Sequence, residues 1–377
     1  MTRTKTFSPL RARLGSLALA TTLVATLSAC STSSSGDEDS DAGSADEEAD
    51  ENAGGDNAAE DIHLAFIGAD GSQNFTQEML LGAEAAADEF GVDVQVLAPT
   101  ALDGQAQVRM MEDAMRTAPD GIAIMSLTPD LLIRTQANAV AEGIPVVSVD
   151  VPALEGSNVT THLGNDNFAA GEMLAGEAIK HLEEQGITEG TAVVASPIPG
   201  VPTLDLRAEG MKAAIEAALP DFEVVGPVAS APDPTGNLSA WGNLVSANSD
   251  ANVFMDAGDA ALASLARINR ENDGQYLTGA FDLNDAGLEA IVDGTNFASG
   301  DPQHFLKGYM STRVLIENAL GEADLPQGWW VLPAALVNGD NVEAVIERQA
   351  GDNADKLAYF QPQIDELYAD PEIRDLP

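Results

Sequence analysis

From about residue 62 onward, short apolar runs alternate with alanine-rich amphipathic stretches. The runs predict strands at Ile62–Ile67, Val92–Leu97, Gly121–Ser126, Pro145–Val149, Thr191–Ser196, Phe222–Val228, Asn252–Met255 and Tyr276–Phe281. Between them, apolar residues recur at helical spacing, as in Phe75–Phe90, Ala106–Arg116, Leu131–Ala141, Phe168–Leu182, Leu204–Leu219 and Ala260–Ile268. Strands that alternate with helices predict an α/β fold of doubly wound parallel sheets, with helices on both faces. The length beyond residue 62 suffices for two domains of ordinary size.

Before residue 62 the pattern changes twice. Arg3, Lys5, Arg11 and Arg13 precede an apolar stretch from about Leu14 to Leu27, and the small residues Ser28 and Ala29 end it. This is the layout of a signal peptide over 1–29, and the apolar run is short for a membrane span. Cys30, the only cysteine, follows directly. A lone cysteine forms no intramolecular disulfide and makes a poor metal site. Leu27-Ser28-Ala29-Cys30 resembles the bacterial lipobox, which implies lipidation of Cys30 and attachment to the cell membrane by acyl chains, each buried CH₂ contributing ~0.8 kcal/mol. Residues 31–61 contain no aromatic residue, lysine or arginine, and twelve of them are acidic. Such a segment cannot bury enough apolar surface to offset chain entropy, and it predicts a disordered acidic tether from 30 to 61.

Charge narrows the function. The net charge is −44, and without residues 1–29 there remain 61 acids against 13 bases. The acidity is not confined to the tether, which argues against nucleic-acid binding. An acidic, lysine-poor surface suits a medium in which salt screens the repulsion. The four histidines are scattered without metal-ligand spacing, so no metal and no cofactor is expected.

In doubly wound sheets, ligands sit outside the carboxyl ends of the strands. Several predicted strands run into carboxylates there: Asp150, Asp256 and Asp282. The first strand leads into Asp70-Gly71-Ser72-Gln73-Asn74-Phe75, and the Thr191–Ser196 strand is followed by the segment Pro197 to Arg207. Sugars offer apolar C–H faces and hydroxyls that donate and accept. An aromatic ring takes the face, carboxylates accept hydroxyl protons and an arginine donates in a planar fork. A strand-end aspartate is also a helix N-cap, and for Asp256 capping is the competing reading. Phe75 has a competing role as a helix staple, and Arg207 as a partner of Asp205 or Glu209.

The stretches Gln73 to Phe75, Gly143 to Asp150, Gly164 to Gly171, Pro199 to Arg207 with Gly210, and Gly279 to Asp282 resemble, in order and spacing, the type I periplasmic binding proteins of the ribose- and galactose-binding group. The resemblance covers about 62–350. It implies two doubly wound lobes joined by a three-crossover hinge, with the ligand cleft between them. One lobe is then 62–163 with about 302–330, the other about 164–301 with 331–350, and 351–377 is a C-terminal extension. It implies a ligand site of Gln73, Phe75, Asp150, Arg207, Asp256 and Asp282, with Asn74, Asp205, Asp233 and Asp301 as further candidates. Three departures stand out: Pro232 where the family has a second stacking aromatic, Val151 where a base usually follows the aspartate, and Gly300 where an amide is common.

The resemblance implies no enzyme. It implies a monomeric, membrane-anchored lipoprotein that takes a sugar or polyol and delivers it to ABC permease subunits. Two alternatives stay open: a lipoprotein that presents its ligand to a membrane sensor, and a binder of another polar ligand such as a nucleoside. A dinucleotide enzyme is disfavoured because the first turn, Gly68 to Gln73, lacks the middle glycine of Gly-x-Gly-x-x-Gly. Neither a Gly-x-Ser-x-Gly elbow nor a P-loop is present.

Overall fold

The computed structural model describes Ala59 and residues 61–377. The signal segment 1–29, Cys30 and nearly all of the acidic tether lie outside the described residues.

The strands β1 (His63–Ile67), β2 (Asp93–Leu97), β3 (Gly121–Ile124), β4 (Val146–Val149) and β5 (Thr161–Asn165) form a parallel sheet in the order β2-β1-β3-β4-β5. A second parallel set, β6 (Glu189–Ser196), β7 (Asp221–Ala229), β8 (Val253–Asp256), β9 (Leu277–Phe281) and β10 (Ala298–Asp301), runs β7-β6-β8-β9-β10. Counted from its own first strand, each has the 2-1-3-4-5 order of doubly wound folds. The β3, β4 and β8 residues are all buried, which is why these strands read as largely apolar runs, broken only by Ser148 and Asp256. β11 (Gly328–Leu332) extends the first sheet in parallel beside β5, and β12 (Ala335–Asn338) extends the second antiparallel to β10.

Helices cover both sheets. α1 (Asn74–Phe90), α2 (Gly104–Thr117) and α3 (Ile133–Ala141) follow β1 to β3; α4 (Asn167–Glu184) follows β5. α5 (Pro202–Ala218), α6 (Pro234–Ala247), α7 (Ala260–Glu271) and α8 (Asp285–Val292) follow β6 to β9, and α9 (His304–Ala319) follows β10. Two helix pairs approach backbone to backbone. Gly82 of α1 faces the Phe305 carbonyl of α9, and Gly171 of α4 faces the Arg207 carbonyl of α5. A Cβ at either glycine overlaps main chain, so only glycine admits the approach. Both pairs carry cleft residues: Phe75 and His304 in the first, Arg207 in the second.

The chain passes between the sheets at 165–167, at 301–304 and at 332–335, the three crossings the resemblance implies. A fourth follows. α10 (Val342–Ala350) packs Val342 and Val345 against Leu288 and Ile291 of α8. The next helix, α11 (Asn353–Ala369), returns to α1 and α9, and β13 (Ile373–Arg374) pairs antiparallel to β11. Residues 351–377, expected as an extension beyond both lobes, are thus built into the first. The reason is apolar: Phe360 and Ile364 are buried, and Phe360 stacks on Phe305 of α9 with ring centroids 5.7 Å apart. Among the described residues, no helix is long and apolar enough to cross a membrane.

Candidate functional site

The carboxyl ends of both sheets face one cavity of about 380 Å³. Asp150 follows β4 and Asp282 follows β9, the fourth strand of each sheet in chain order. The two residues are conformational twins. Both are left-handed, at φ 63° and 68°. The Asp150 amide donates to the Leu163 carbonyl, and the Asp282 amide to the Gly300 carbonyl, each at 2.8 Å. A residue with a side chain costs about 1–2 kcal/mol in this conformation. Such strain persists where the surroundings over-determine it, and it clusters at ligand sites.

One helix end supplies a polar partner to each. His304 and Lys307 lie one turn apart at the start of α9. Lys307 Nζ donates to Asp150 Oδ1, and His304 Nε2 lies 2.7 Å from Asp282 Oδ1. Burial pushes the Asp150 carboxyl up, but Lys307, His304 and Arg207 together outweigh it and hold it below the usual carboxylate range. Asp282 follows the same balance: burial raises it, and His304 and Arg207 bring it lower. Both carboxylates are therefore ionised acceptors at neutral pH.

Arg207 comes from α5 and is 2% exposed. Its Nε donates to Asn167 Oδ1 at 3.0 Å, and its Nη1 to the Ala257 carbonyl at 3.2 Å. Nη1 also lies 3.8 Å from Asp282 Oδ1, and the guanidinium sits 4.6 Å from the Phe281 ring centroid. Its Nη2 is buried and has no partner among the described residues. A charged donor beside the cavity can serve a ligand oxygen.

Gln73 and Phe75 complete the first lobe's contribution. Gln73 holds the N-cap position of α1 with an extended backbone, yet its side chain makes no capping bond. It lines the cavity instead. Phe75 also lines it, with its ring tilted against His304 at 5.7 Å.

The other expected residues fall elsewhere. Asp256 is fully buried and turns from the cavity: its Oδ2 accepts from Trp241 Nε1 at 2.8 Å and its Oδ1 from the Gly258 amide at 3.0 Å. It ties α6 to the β8 end, which corrects its expected ligand role. Asp205 accepts from the Gly200 amide at 2.7 Å and holds the loop before α5. Asp301 accepts from the Gln303 amide and from Arg348 Nη2, both at 2.8 Å. Asn74 Nδ2 donates to the Leu283 carbonyl at 2.6 Å, a bond between the lobes. Asp233 does line the cavity, while its Oδ1 caps α6 through the Gly236 amide.

Sequence reasoning missed four cavity or supporting groups: Asp70, Asp259, His304 and Lys307. Asp259 accepts from Asn284 Nδ2 at 2.7 Å; burial and the nearby Asp282 charge push its carboxyl up to about 7. Two of the sequence departures have structural answers. The cation that Val151 does not supply beside Asp150 comes from Lys307. A Cβ at Gly300 overlaps the Phe281 ring, the ring beneath Arg207.

Residues 64–323, more than half of the chain, match the sequence profile of the periplasmic binding protein domain. The chain belongs to that family. This binding protein is 27% identical over 232 residues to the ribose import binding protein of Bacillus subtilis (strain 168), covering 61% of its own length and 73% of the relative. It is 24% identical over 226 residues to the xylose/arabinose-binding protein of Sulfolobus acidocaldarius, covering 56% of itself and 54% of that relative. In structure it is similar to the arabinose binding protein AraP of Geobacillus stearothermophilus, with a TM-score of 0.66 and 25% identity over 75% of this chain and 99% of the other. The solute-binding protein of Burkholderia graminis C4D1M, solved with D-arabinose, shares the fold at a TM-score of 0.68 and 24% identity over 75% of this chain and 97% of the other. The family is one of extracytoplasmic binding proteins rather than enzymes.

Proposed function

We propose that this binding protein captures a sugar or sugar-like polyol in its cleft and delivers it to the permease subunits of an ABC importer. The observation that carries this reading is the pairing of Asp150 and Asp282, ionised acceptors at matching places in two lobes, with Arg207 Nη2 beside them, a donor with no partner among the described residues. Hydroxyl groups both donate and accept, so they satisfy carboxylates and a guanidinium at once. Phe75 takes a C–H face of the ring. The ribose and xylose/arabinose specificities in the names of the relatives support the same ligand class. Residues from both lobes touch one ligand, so the ligand favours the closed state by its extra contacts there. Closure gives the permease a shape that reports occupancy.

The anchor is part of the proposal. Acylation of Cys30 holds a monomer at the membrane while the acidic tether gives it reach. Cys30→Ala then moves the protein from the membrane fraction to the medium or stalls its processing. A mutant that is processed normally and stays membrane-bound contradicts the anchor alone.

Thermal-shift screening of the purified protein against pentoses, hexoses and polyols tests the ligand class. A true ligand at about 100 times its dissociation constant adds ~2.7 kcal/mol of stability. No shift with any of them at millimolar concentration contradicts the reading.

A further inference from the structure

The cleft is lined by buried charged groups and by apolar side chains from both lobes, with Asp70, Gln73, Asp233 and Asp259 also on its lining. Asp150, Arg207, Asp282 and His304 are each at most 7% exposed and form the floor. Leu127 and Ile198 are half-buried, one from each lobe, and form the walls. Leu102, just before α2, and Pro232, just before α6, are exposed and flank the mouth, again one from each lobe.

A bare sugar leaves the apolar part of this lining uncovered. It carries hydroxyls around its whole ring, and any hydroxyl turned to Leu127 or Ile198 loses water without gaining a partner. The volume points the same way. About 380 Å³ falls within the roughly 300–1,000 Å³ of sites that take drug-sized ligands. The protein also leaves Leu102 exposed where an acidic, solvated surface offers many polar substitutes.

We infer that the ligand is a glycoside: a sugar ring seated on the Asp150–Arg207–Asp282–His304 floor, carrying an apolar aglycone that lies between Leu102, Leu127, Ile198 and Pro232. This rests on the sugar reading of the floor. The ring supplies orientation through charged hydrogen bonds. The aglycone supplies affinity through apolar area removed from water at the walls and mouth. No chemical step is involved, and the glycosidic bond stays intact.

Titration calorimetry with matched probes tests this. D-Ribose, D-arabinose, D-xylose and D-galactose are each compared with their phenyl glycosides in both anomers. At least one phenyl glycoside binds about tenfold or more tightly than its parent sugar. Leu102→Ser and Pro232→Ser, both at exposed positions that leave folding intact, bring the ratio of the two affinities toward one. Parent sugars that bind at least as tightly as every glycoside overturn the inference and leave the sugar reading standing. A ratio unmoved in both variants also overturns it. If neither parents nor glycosides bind, the sugar reading falls and the inference with it.

Discussion

His304 Nε2 lies 2.7 Å from Asp282 Oδ1, and the two residues belong to different lobes. His304 opens α9, which packs on the first sheet, whereas Asp282 follows a strand of the second. One turn further along α9, Lys307 reaches Asp150 of its own lobe. A single helix end, placed right after a crossing between the sheets, thus contacts both cleft carboxylates. The cleft and the hinge share their electrostatics.

Replacing that histidine separates the two roles. His304→Phe keeps a ring opposite Phe75 but removes the N–H that faces Asp282. A hydrogen bond to a charged group contributes about 1.5–3 kcal/mol. The stability of the ligand-free protein is expected to fall by about that amount in equilibrium unfolding. Wild-type stability in the mutant contradicts the bond.

Asp256 predicts a pH limb in stability. Burial pushes its carboxyl up to about 6 from an ordinary value of 3.8. The folded state therefore holds the proton longer than the unfolded chain does. Its contribution is greatest below about pH 4 and is lost as pH rises through about 6, a loss of about 3 kcal/mol for a shift of about two units. Denaturant melts of wild type and Asp256→Asn from pH 4 to pH 7 should diverge by that order. Parallel curves contradict the buried, Trp241-bound carboxylate.

The fourth crossing predicts a brace behind the hinge. Arg348 Nη2 bonds Asp301 Oδ2 at 2.8 Å in the second lobe, and its guanidinium lies 5.1 Å and 5.3 Å from the Tyr359 and Phe360 rings of α11 on the first. Lys356 adds bonds to Glu78 Oε1 at 2.9 Å and to the Gln349 carbonyl at 3.2 Å. Arg348→Leu leaves Asp301 buried without its cation, a change expected to cost about 3–5 kcal/mol. Equilibrium unfolding measures it, and a loss below about 1 kcal/mol would falsify the brace.

Two glycines on one helix give an internally controlled pair. Gly171→Ala places a Cβ against the Arg207 carbonyl and shifts α5, while Gly176 has open space around it. The first change is expected to cost about 1–3 kcal/mol as overpacking, and to weaken sugar binding because Arg207 moves. Gly176→Ala is expected to stabilise by roughly 0.5–1 kcal/mol through helix propensity. Thermal melts and calorimetry on both check the contrast.

Much of the fold was legible because central parallel strands are buried on both faces and read as apolar runs. β5 and β10 were not. Thr161–Asn165 holds one large apolar residue, Leu163, and Ala298–Asp301 holds none. They are strands because neighbours pair with them on both sides, β4 and β11 in one case, β9 and β12 in the other. On the cavity lining, the places of Asp150, Arg207 and Asp282 were legible from strand ends and from family spacing. Lys307 was not, because its partner Asp150 lies 157 residues away. Asp256 misled because a strand-end carboxylate looks the same in sequence whether it turns to the cleft or back to a buried tryptophan.

The most direct test of the central claim is calorimetric titration of the best sugar or glycoside from the screen into the purified protein, followed by recovery of the ligand. The account predicts saturable binding of one ligand per chain, loss of most of that affinity in Asp282→Ala, and a ligand recovered unchanged. Wild-type binding in Asp282→Ala, or a ligand recovered chemically altered, contradicts it.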